Sequence, residues 1–173
     1  MDAHMEIERK WLLSDLPKTL EADARYILQT GYISHGENEV RIRSALHDDS
    51  VGTKETWGEI YCRYKLTIKG PGALSRTEVE FILSREQYDE LSALVKPEPI
   101  LKDYHEYHVN GKRIEISRVD NDWVYAEVEF KSEKEANDYV LPKEIQEVLV
   151  REITYEPEYK MKNYWSRTRT GQG

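Results

Sequence analysis

Charged residues fall on every second position in run after run of this 173-residue chain. A chain patterned with period two is committed to β-strands that carry one charged and one apolar face. In residues 5–13, Glu6, Glu8 and Lys10 share a face, with Ile7 and Trp11 on the other. In residues 38–44, Arg41 and Arg43 oppose Val40 and Ile42, and in 63–69, Arg63, Lys65, Thr67 and Lys69 oppose Tyr64, Leu66 and Ile68. Farther on, Arg76, Glu78 and Glu80 fall together, Glu127 and Glu129 stand against Val128 and Phe130, and Glu152 lies beside Thr154.

The signs are sorted instead of mixed, whereas ordinary solvated faces intersperse Lys with Glu to relieve cross-strand repulsion. Neighbouring acids call for a cation between them, commonly a divalent one. Clustered guanidinium and ammonium groups suit phosphate oxygens. A closed barrel with its polar faces inward would bring both sets round one cavity, able to hold a polyphosphate with its metal. A sandwich with charged outer faces fits the same alternation, and the residues alone leave the two open.

Strands are expected over 5–13, 25–34, 38–46, 58–69, 74–83, 99–109, 111–119, 122–131 and 149–155. Gly70-Pro71-Gly72 and Asn110-Gly111 read as turns of antiparallel hairpins. Ser84 followed by Gln87, and Ser132 followed by Glu135, are capping-box patterns that open short helices, and 157–168 reads as a closing helix. Antiparallel strands with helices set around them are the architecture this implies.

Charged residues make up 34% of the chain, against about a quarter in a typical globular protein, so charge here is more than surface cover. With 25 Lys and Arg against 33 Asp and Glu, the net charge of -8 argues against a partner such as a nucleic-acid duplex or an anionic membrane. The length fits one domain over residues 1–173. A single cysteine, Cys62, reads as a small core residue, and with no basic-then-apolar opening and no long apolar run the expected location is cytoplasmic. His4-Met5 reads as a possible cloning scar without a role, the five histidines lack zinc-ligand spacing, and Trp57, Trp123 and Trp165 read as packing residues. Nothing fixes the oligomeric state, and a homodimer stays open.

Taken in order, Glu6-Ile-Glu8-Arg-Lys10, Arg41-Ile-Arg43, Lys65-Leu-Thr-Ile-Lys69, Arg76-Thr-Glu78-Val-Glu80, Glu127-Val-Glu129-Phe and Glu152-Ile-Thr154 resemble the CYTH superfamily of triphosphate tunnel metalloenzymes, with motifs spanning residues 5–166. The resemblance implies an α+β, mainly antiparallel β fold: a closed eight-stranded barrel with helices packed outside and a tunnel for a small-molecule triphosphate. It implies that Glu6, Glu8, Glu127 and Glu129 hold Mg²⁺ or Mn²⁺. Arg41, Arg43, Lys65, Lys69, Arg76 and Lys102 match phosphate-gripping residues. Lys10 and Tyr32 resemble a pair implicated in hydrolysis in small bacterial members, and Glu80 is a second candidate for positioning or deprotonating the water. Glu78, Glu115, Glu152 and Lys162 are further candidates, Lys162 with Asn163 on the closing helix.

Two departures from the family pattern stand out. Relatives commonly read Lys-x-Arg where this chain has Lys102-Asp-Tyr104, and Glu-x-Asp where it has Glu115-Ile-Ser117. The first removes a phosphate-binding guanidinium, about 1.5–3 kcal/mol of grip or roughly tenfold to a hundredfold in affinity. The second removes a carboxylate that Glu78, Glu80 or Glu115 could replace. The implied activity is metal-dependent hydrolysis of a triphosphate, whether inorganic tripolyphosphate or an organic one such as thiamine triphosphate or a nucleoside triphosphate. A class IV adenylate cyclase and a non-catalytic triphosphate-binding module are the alternatives.

Overall fold

Eight of the alternating runs zip into antiparallel ladders that return to their starting strand. They are β1 (Asp2–Leu13), β2 (Ala24–His35), β3 (Glu39–His47), β4 (Tyr64–Lys69), β5 (Ser75–Ile82), β6 (Ile100–Val109), β7 (Lys112–Val119) and β8 (Trp123–Glu129). The computed structural model describes residues 2–52 and 64–171. Trp57, Cys62, Arg63 and the opening of the strand expected over 58–69 lie outside the described residues. The strands follow the order β5-β4-β3-β2-β6-β7-β8-β1, and β1 pairs with β5 to close the barrel. Closure decides against the sandwich.

β1 is the seam. Its first half pairs with β5, placing His4 opposite Glu78 and Glu6 opposite Arg76. Its second half pairs with β8, placing Glu8 opposite Glu129 and Lys10 opposite Glu127. A short ninth strand, β9 (Leu149–Glu152), adds to β1 beside Trp11 and Leu12 and stops before the expected 155.

Both expected hairpins form. Asn110 and Gly111 have φ of 52° and 75°, the doubly left-handed pair that matches strand twist in a two-residue turn. Gly72, at φ 148°, has no room for a side chain, because a Cβ would lie 2.1 Å from the Ser75 carbonyl oxygen.

The helices begin where the caps predict. At α1 (Arg85–Ser92) the Gln87 amide donates to the Ser84 hydroxyl at 3.1 Å, and the Gln87 side chain accepts from the Ser84 amide at 2.9 Å. At α2 (Glu133–Asp138) the box is not reciprocal, because the Glu135 carboxylate turns back to the Lys131 amide. A short α3 (Lys143–Gln146) follows. The closing helix expected over 157–168 is split. A 3₁₀ turn at Pro157–Tyr159 precedes α4 (Met161–Trp165), Lys160 is extended between them, and a wider π-type turn follows over Ser166–Thr170.

The apolar faces point outward from the barrel and are covered on one flank. Trp11, Ile114, Ile116, Ala126, Val128 and Phe130 pack beneath Ala136 of α2 and Ile145 of α3. Met161, Tyr164 and Trp165 of α4 pack against Tyr32, Ile100, Val119 and Tyr125, stoppering one end. The opposite end is filled by Ala24, Tyr26, Leu28, Ala45 and Tyr104. Each such large side chain contributes roughly 1.5–3 kcal/mol through burial, so the barrel's charged lumen is held by apolar contacts around and at its ends. No helix among the described residues is long and apolar enough to cross a membrane.

Candidate functional site

Strand alternation turns the charged faces into the lining of one cavity of about 390 Å³. β1 contributes His4, Glu6, Glu8 and Lys10; β3 contributes Glu39, Arg41 and Arg43; β4 and β5 contribute Lys65, Lys69, Arg76, Glu78 and Glu80. From the other wall come Tyr32, Lys102, Tyr104, Arg113, Glu115, Ser117, Tyr125, Glu127 and Glu129. Of the candidates read from the sequence, two fall outside. Glu152 sits on the exposed flank, gripped by Arg9 at 2.8 and 2.7 Å, because β9 joins the barrel alongside the outward-facing Arg9. Lys162 donates to the Gly36 carbonyl at 2.7 Å, at the rim formed by the β2–β3 turn.

The sorted charges meet in space with signs alternating. Lys69, 3% exposed, lies 2.7 Å from Glu6 and 2.9 Å from Glu78. Arg76 bridges Glu6 at 2.9 Å and Glu39 at 2.7 Å, Lys65 meets Glu80 at 3.0 Å, and Lys10 meets Glu127 at 2.9 Å. Contrary to the expectation from the sequence, Lys65, Lys69 and Arg76 therefore do not depend on a bound anion for neutralisation, since the β4–β5 and β1–β5 registers bring the opposite sign beside them. Burial alone would raise the Glu6 carboxyl, yet Lys69 and Arg76 outweigh it and hold the group well below the usual carboxylate range. The same contest at Glu127, burial against Lys10 and Lys102, ends at about 2.

What remains unpaired defines the chemistry. Among the described residues, Arg41, Arg43 and Lys102 form no ion pair with a carboxylate, and Glu8 forms none with a cation. Burial, with Glu127 and Glu6 close by, pushes the Glu8 carboxyl well above its ordinary value. Burial also raises Glu129, with Glu6 adding to it. Burial lowers the Arg43 guanidinium, reinforced by Arg41, and brings Lys102 down to about 7, where its ammonium donates to the Tyr125 hydroxyl. Arg41 differs from the other two: burial would lower it, yet the Tyr32 phenol and the Glu78, Glu39 and Glu6 carboxylates outweigh that and raise its guanidinium.

No three carboxylates or imidazoles among the described residues converge tightly enough to cage an ion as they stand. The donor set nonetheless fits a hard divalent cation: it is all oxygen, and burial with Glu127 and Glu6 opposes the Glu8 charge more than Lys69 and Lys10 support it. Glu6, Glu8, Glu127 and Glu129, the residues that the resemblance marks for Mg²⁺ or Mn²⁺, all line this cavity.

The two departures from the family pattern are partners. Tyr104 and Ser117 face each other across β6 and β7, so the missing guanidinium and carboxylate leave the same spot together, at no net change of charge. The Tyr104 hydroxyl donates to Glu115 at 2.6 Å, Arg113 lies 3.6 Å from that carboxylate, and Glu115 stands directly opposite Glu127 in the β7–β8 ladder.

Lys10 and Tyr32 both reach the cavity, from β1 and β2. Burial pushes the Tyr32 phenol up to about 12 against the pull of Arg41, so its hydroxyl keeps its proton at neutral pH. Glu80 is also a weak base, because the rise that burial causes is outweighed by Lys65 together with Arg43 and Arg41.

Sequence reasoning gave His4 no role, yet the side chain lines the cavity. Its Nε2 lies 3.1 Å from Glu129 and 3.6 Å from Glu78. Its position two before Glu6 was the available signal. Glu39 was legible the same way, two before Arg41, whereas Lys160 reaches the cavity from the extended residue before α4, where no periodicity marks it.

Comparison with known proteins agrees with this geometry. No curated protein matches the sequence. Among solved structures, the inorganic triphosphatase NE1496 is 23% identical with a TM-score of 0.56, covering 92% of this chain and 93% of that one. A candidate adenylate cyclase from Bacillus halodurans is 16% identical with a TM-score of 0.53, covering 79% and 86%. The PH1819 protein from Pyrococcus horikoshii is 22% identical with a TM-score of 0.52, covering 77% and 82%. At these identities the likeness is one of fold. The family model for the CYTH domain matches residues 4–164, from His4 at the mouth of the cavity to Tyr164 in the stopper, and on that match the chain belongs to the CYTH family.

Proposed function

We propose that the cavity binds a triphosphate and hydrolyses its terminal phosphoanhydride with the aid of Mg²⁺ or Mn²⁺. One observation carries the reading: Arg43 and Lys102, whose charge the cavity disfavours and which form no ion pair with a carboxylate among the described residues, share that cavity with Glu8, an acid whose charge it disfavours as well. That arrangement is costly when empty and is relieved when a polyanion and a divalent ion enter together. When bound, the metal neutralises phosphate charge. Arg41, Arg43 and Lys102 grip the phosphates, and Lys65, Lys69 and Arg76 can turn toward them as their carboxylates are drawn elsewhere. Lys10 and the Tyr32 hydroxyl, both donors, orient the attacking water and the terminal phosphate for in-line displacement.

The purified protein should release orthophosphate from tripolyphosphate, thiamine triphosphate or ATP only when Mg²⁺ or Mn²⁺ is present. Metal-linked binding without any product would overturn the catalytic part of the reading, and cyclic AMP in place of ADP would replace hydrolysis by cyclisation.

Lys102 gives the reading a pH signature. With its folded value near 7 and its ordinary value of 10.5, Lys102 is mostly neutral in the empty cavity at pH 8. Bound phosphate restores the charged form, so triphosphate binding at pH 8 should take up about one proton. Calorimetry in buffers of different ionisation enthalpy measures this, and the uptake should vanish in Lys102→Met. Because the unfolded chain binds the Lys102 proton more tightly, this residue's contribution to stability should rise with pH between about 7 and 10.5.

A further inference from the structure

Three turns of the barrel fasten the C-terminal segment across one end. At the β2–β3 turn Lys162 donates to the Gly36 carbonyl at 2.7 Å, and Oγ of Ser166 lies 2.7 Å from Nδ1 of His35. At the β4–β5 turn Lys160 donates to the Gly72 carbonyl. At the β7–β8 turn stands Asp120, with φ of 48°. Its carboxylate accepts two nitrogens of the Arg169 guanidinium at 2.6 and 2.9 Å, the Tyr164 hydroxyl at 2.6 Å and the Leu101 amide at 3.0 Å. Arg169 also donates to the Glu98 and Pro99 carbonyls, so this clasp ties the last turn of the described chain to the approach to β6 as well. Asp120, Tyr164 and Arg169 all stand outside the lining of the cavity.

What the clasp fastens is an end wall. Met161 and Trp165 are buried in the barrel end beneath it, and Met161 and Ile153 face the cavity there. Neither offers a hydrogen-bond donor, so a phosphate forced past them would lose its water without compensation. At the other end Tyr26, Leu28 and Tyr104 fill the side of β2 and β6, and the cavity opens on the side of β1, where the side chains of His4 and Glu129 are 36% and 43% exposed. Among the described residues, the cavity therefore has a mouth at β1 and a blind end at α4. Both residues proposed to orient the water and the terminal phosphate belong to the blind end. Tyr32 packs on Trp165 with ring centroids 5.7 Å apart, and the Lys10 amide donates to Oγ1 of Thr154 at 3.0 Å, next to Ile153.

We propose that the clasp of Asp120, Arg169 and Tyr164 makes the protein cut phosphate chains at their ends, by keeping the cavity closed behind the terminal phosphate. The proposal rests on the hydrolytic reading above and extends it to chains longer than a triphosphate. In a blind cavity a free terminus reaches Lys10 and Tyr32, while the rest of a longer chain trails out through the mouth. The water oxygen bonds to the terminal phosphorus, the bridging P–O bond breaks, the shortened chain keeps the electron pair, and the surplus water proton goes to buffer. With the wall loosened, a chain threads through the barrel and its internal bonds come beside the same residues. Asp120, Arg169 and Tyr164 are positioning residues that act through α4.

The test gives the full chain a long inorganic polyphosphate with Mg²⁺ and resolves the products by length on a gel. Wild type should release orthophosphate and shorten the chains from their ends, with no fragments of intermediate length at early times. The same polyphosphate with both terminal phosphates blocked as bulky alkyl phosphoramidates should stay whole and should not displace tripolyphosphate in calorimetry. Early intermediate fragments, or displacement by the blocked chain, would overturn the blind end. Arg169→Gln and Asp120→Asn should yield intermediate fragments and bind the blocked chain at least about tenfold more tightly than wild type does. Asparagine tolerates the left-handed backbone at position 120, and Arg169→Gln, outside the barrel, decides the matter if Asp120→Asn does not fold. A clasp with a merely structural role would lower the rate on every chain and leave the end-wise pattern unchanged, a result that overturns the proposal. A wild-type chain that binds tripolyphosphate but releases no phosphate defeats the hydrolytic reading, while displacement by the blocked chain, read without turnover, still decides the blind end. Absence of tripolyphosphate binding defeats both.

Discussion

Glu8→Gln should make the metal-free protein more stable while lowering metal-dependent phosphate release by about a hundredfold or more, the scale of losing one preorganised electrostatic group. Glu8 is half-buried in the lumen beside Glu127 and Glu6 and forms no ion pair with a cation among the described residues. Its carboxyl is raised in the folded state, so the folded chain prefers it protonated. The associated penalty is absent below the ordinary value of 4.5, grows as pH rises, and is complete once pH passes the folded value. Glutamine keeps the shape without the charge. The expected gain at neutral pH is about 1–3 kcal/mol, the usual penalty for a buried polar group left without its partner. Calorimetric scans with a chelator should show the melting temperature of the variant above that of wild type at pH 8 and the gap closing toward pH 4. Metal should reverse the order, because at a hundred times its Kd it adds about 2.7 kcal/mol to a protein that binds it. A variant no more stable than wild type in chelator would defeat the assignment of Glu8 as an uncompensated acid.

Lys69→Met should act in the opposite sense, costing about 3–5 kcal/mol, the usual effect of removing one partner of a buried ion pair. Lys69 serves two carboxylates at once, Glu6 and Glu78, in a part of the lumen that water barely reaches. Against a total stability of about 5–15 kcal/mol the loss would be visible in urea unfolding as a much lower midpoint at an unchanged slope. The pH dependence follows from Glu6. Its folded value is depressed, so its stabilisation is present above 4.5 and is lost as pH falls through the folded value. The difference between wild type and variant should therefore shrink in acid. Adding Glu78→Gln to Lys69→Met should recover part of the loss, because one of the stranded acids is then gone. A loss under about 1 kcal/mol would place Lys69 among solvent-screened pairs.

How much of this was readable depended on whether a property lives within a strand or between strands. Alternation within strands was legible, and it placed Glu6, Glu8, Arg41, Arg43, Lys65, Lys69, Glu127 and Glu129 on inward faces correctly. Pairing between strands was not legible, because register is set by closure of the whole sheet. Hence sequence reasoning took the basic runs as unneutralised, while Lys65, Lys69 and Arg76 each meet an acid from another strand. It also treated Tyr104 and Ser117 as two separate losses where the register makes them one. Glu152 failed for a related reason: alternation assigns a residue to a face without saying whether that face meets lumen or solvent. His4 shows that a misleading context can hide a pattern that the parity of Glu6 and Glu8 already extended. The broken closing helix has a local cause, the extended Lys160 between Tyr159 and Met161, and composition alone gives no sign of it.

The seam at β1 has a consequence for how the molecule is made. His4 meets Glu129 across 125 positions of sequence, and Glu6 meets Arg76 across 70. Contacts so distant in sequence form late, after loop-closure entropy has been overcome for most of the sheet. β1 leaves the ribosome ahead of both its neighbours and is locked only when β8 arrives. Until then its second half is an unpaired edge bearing Glu8 and Lys10, charges that discourage it from joining another chain. Glu8 and Lys10, proposed to hold metal and to orient water, would therefore also act as guards of the folding intermediate, protecting the first strand from aggregation until the last one seals it in.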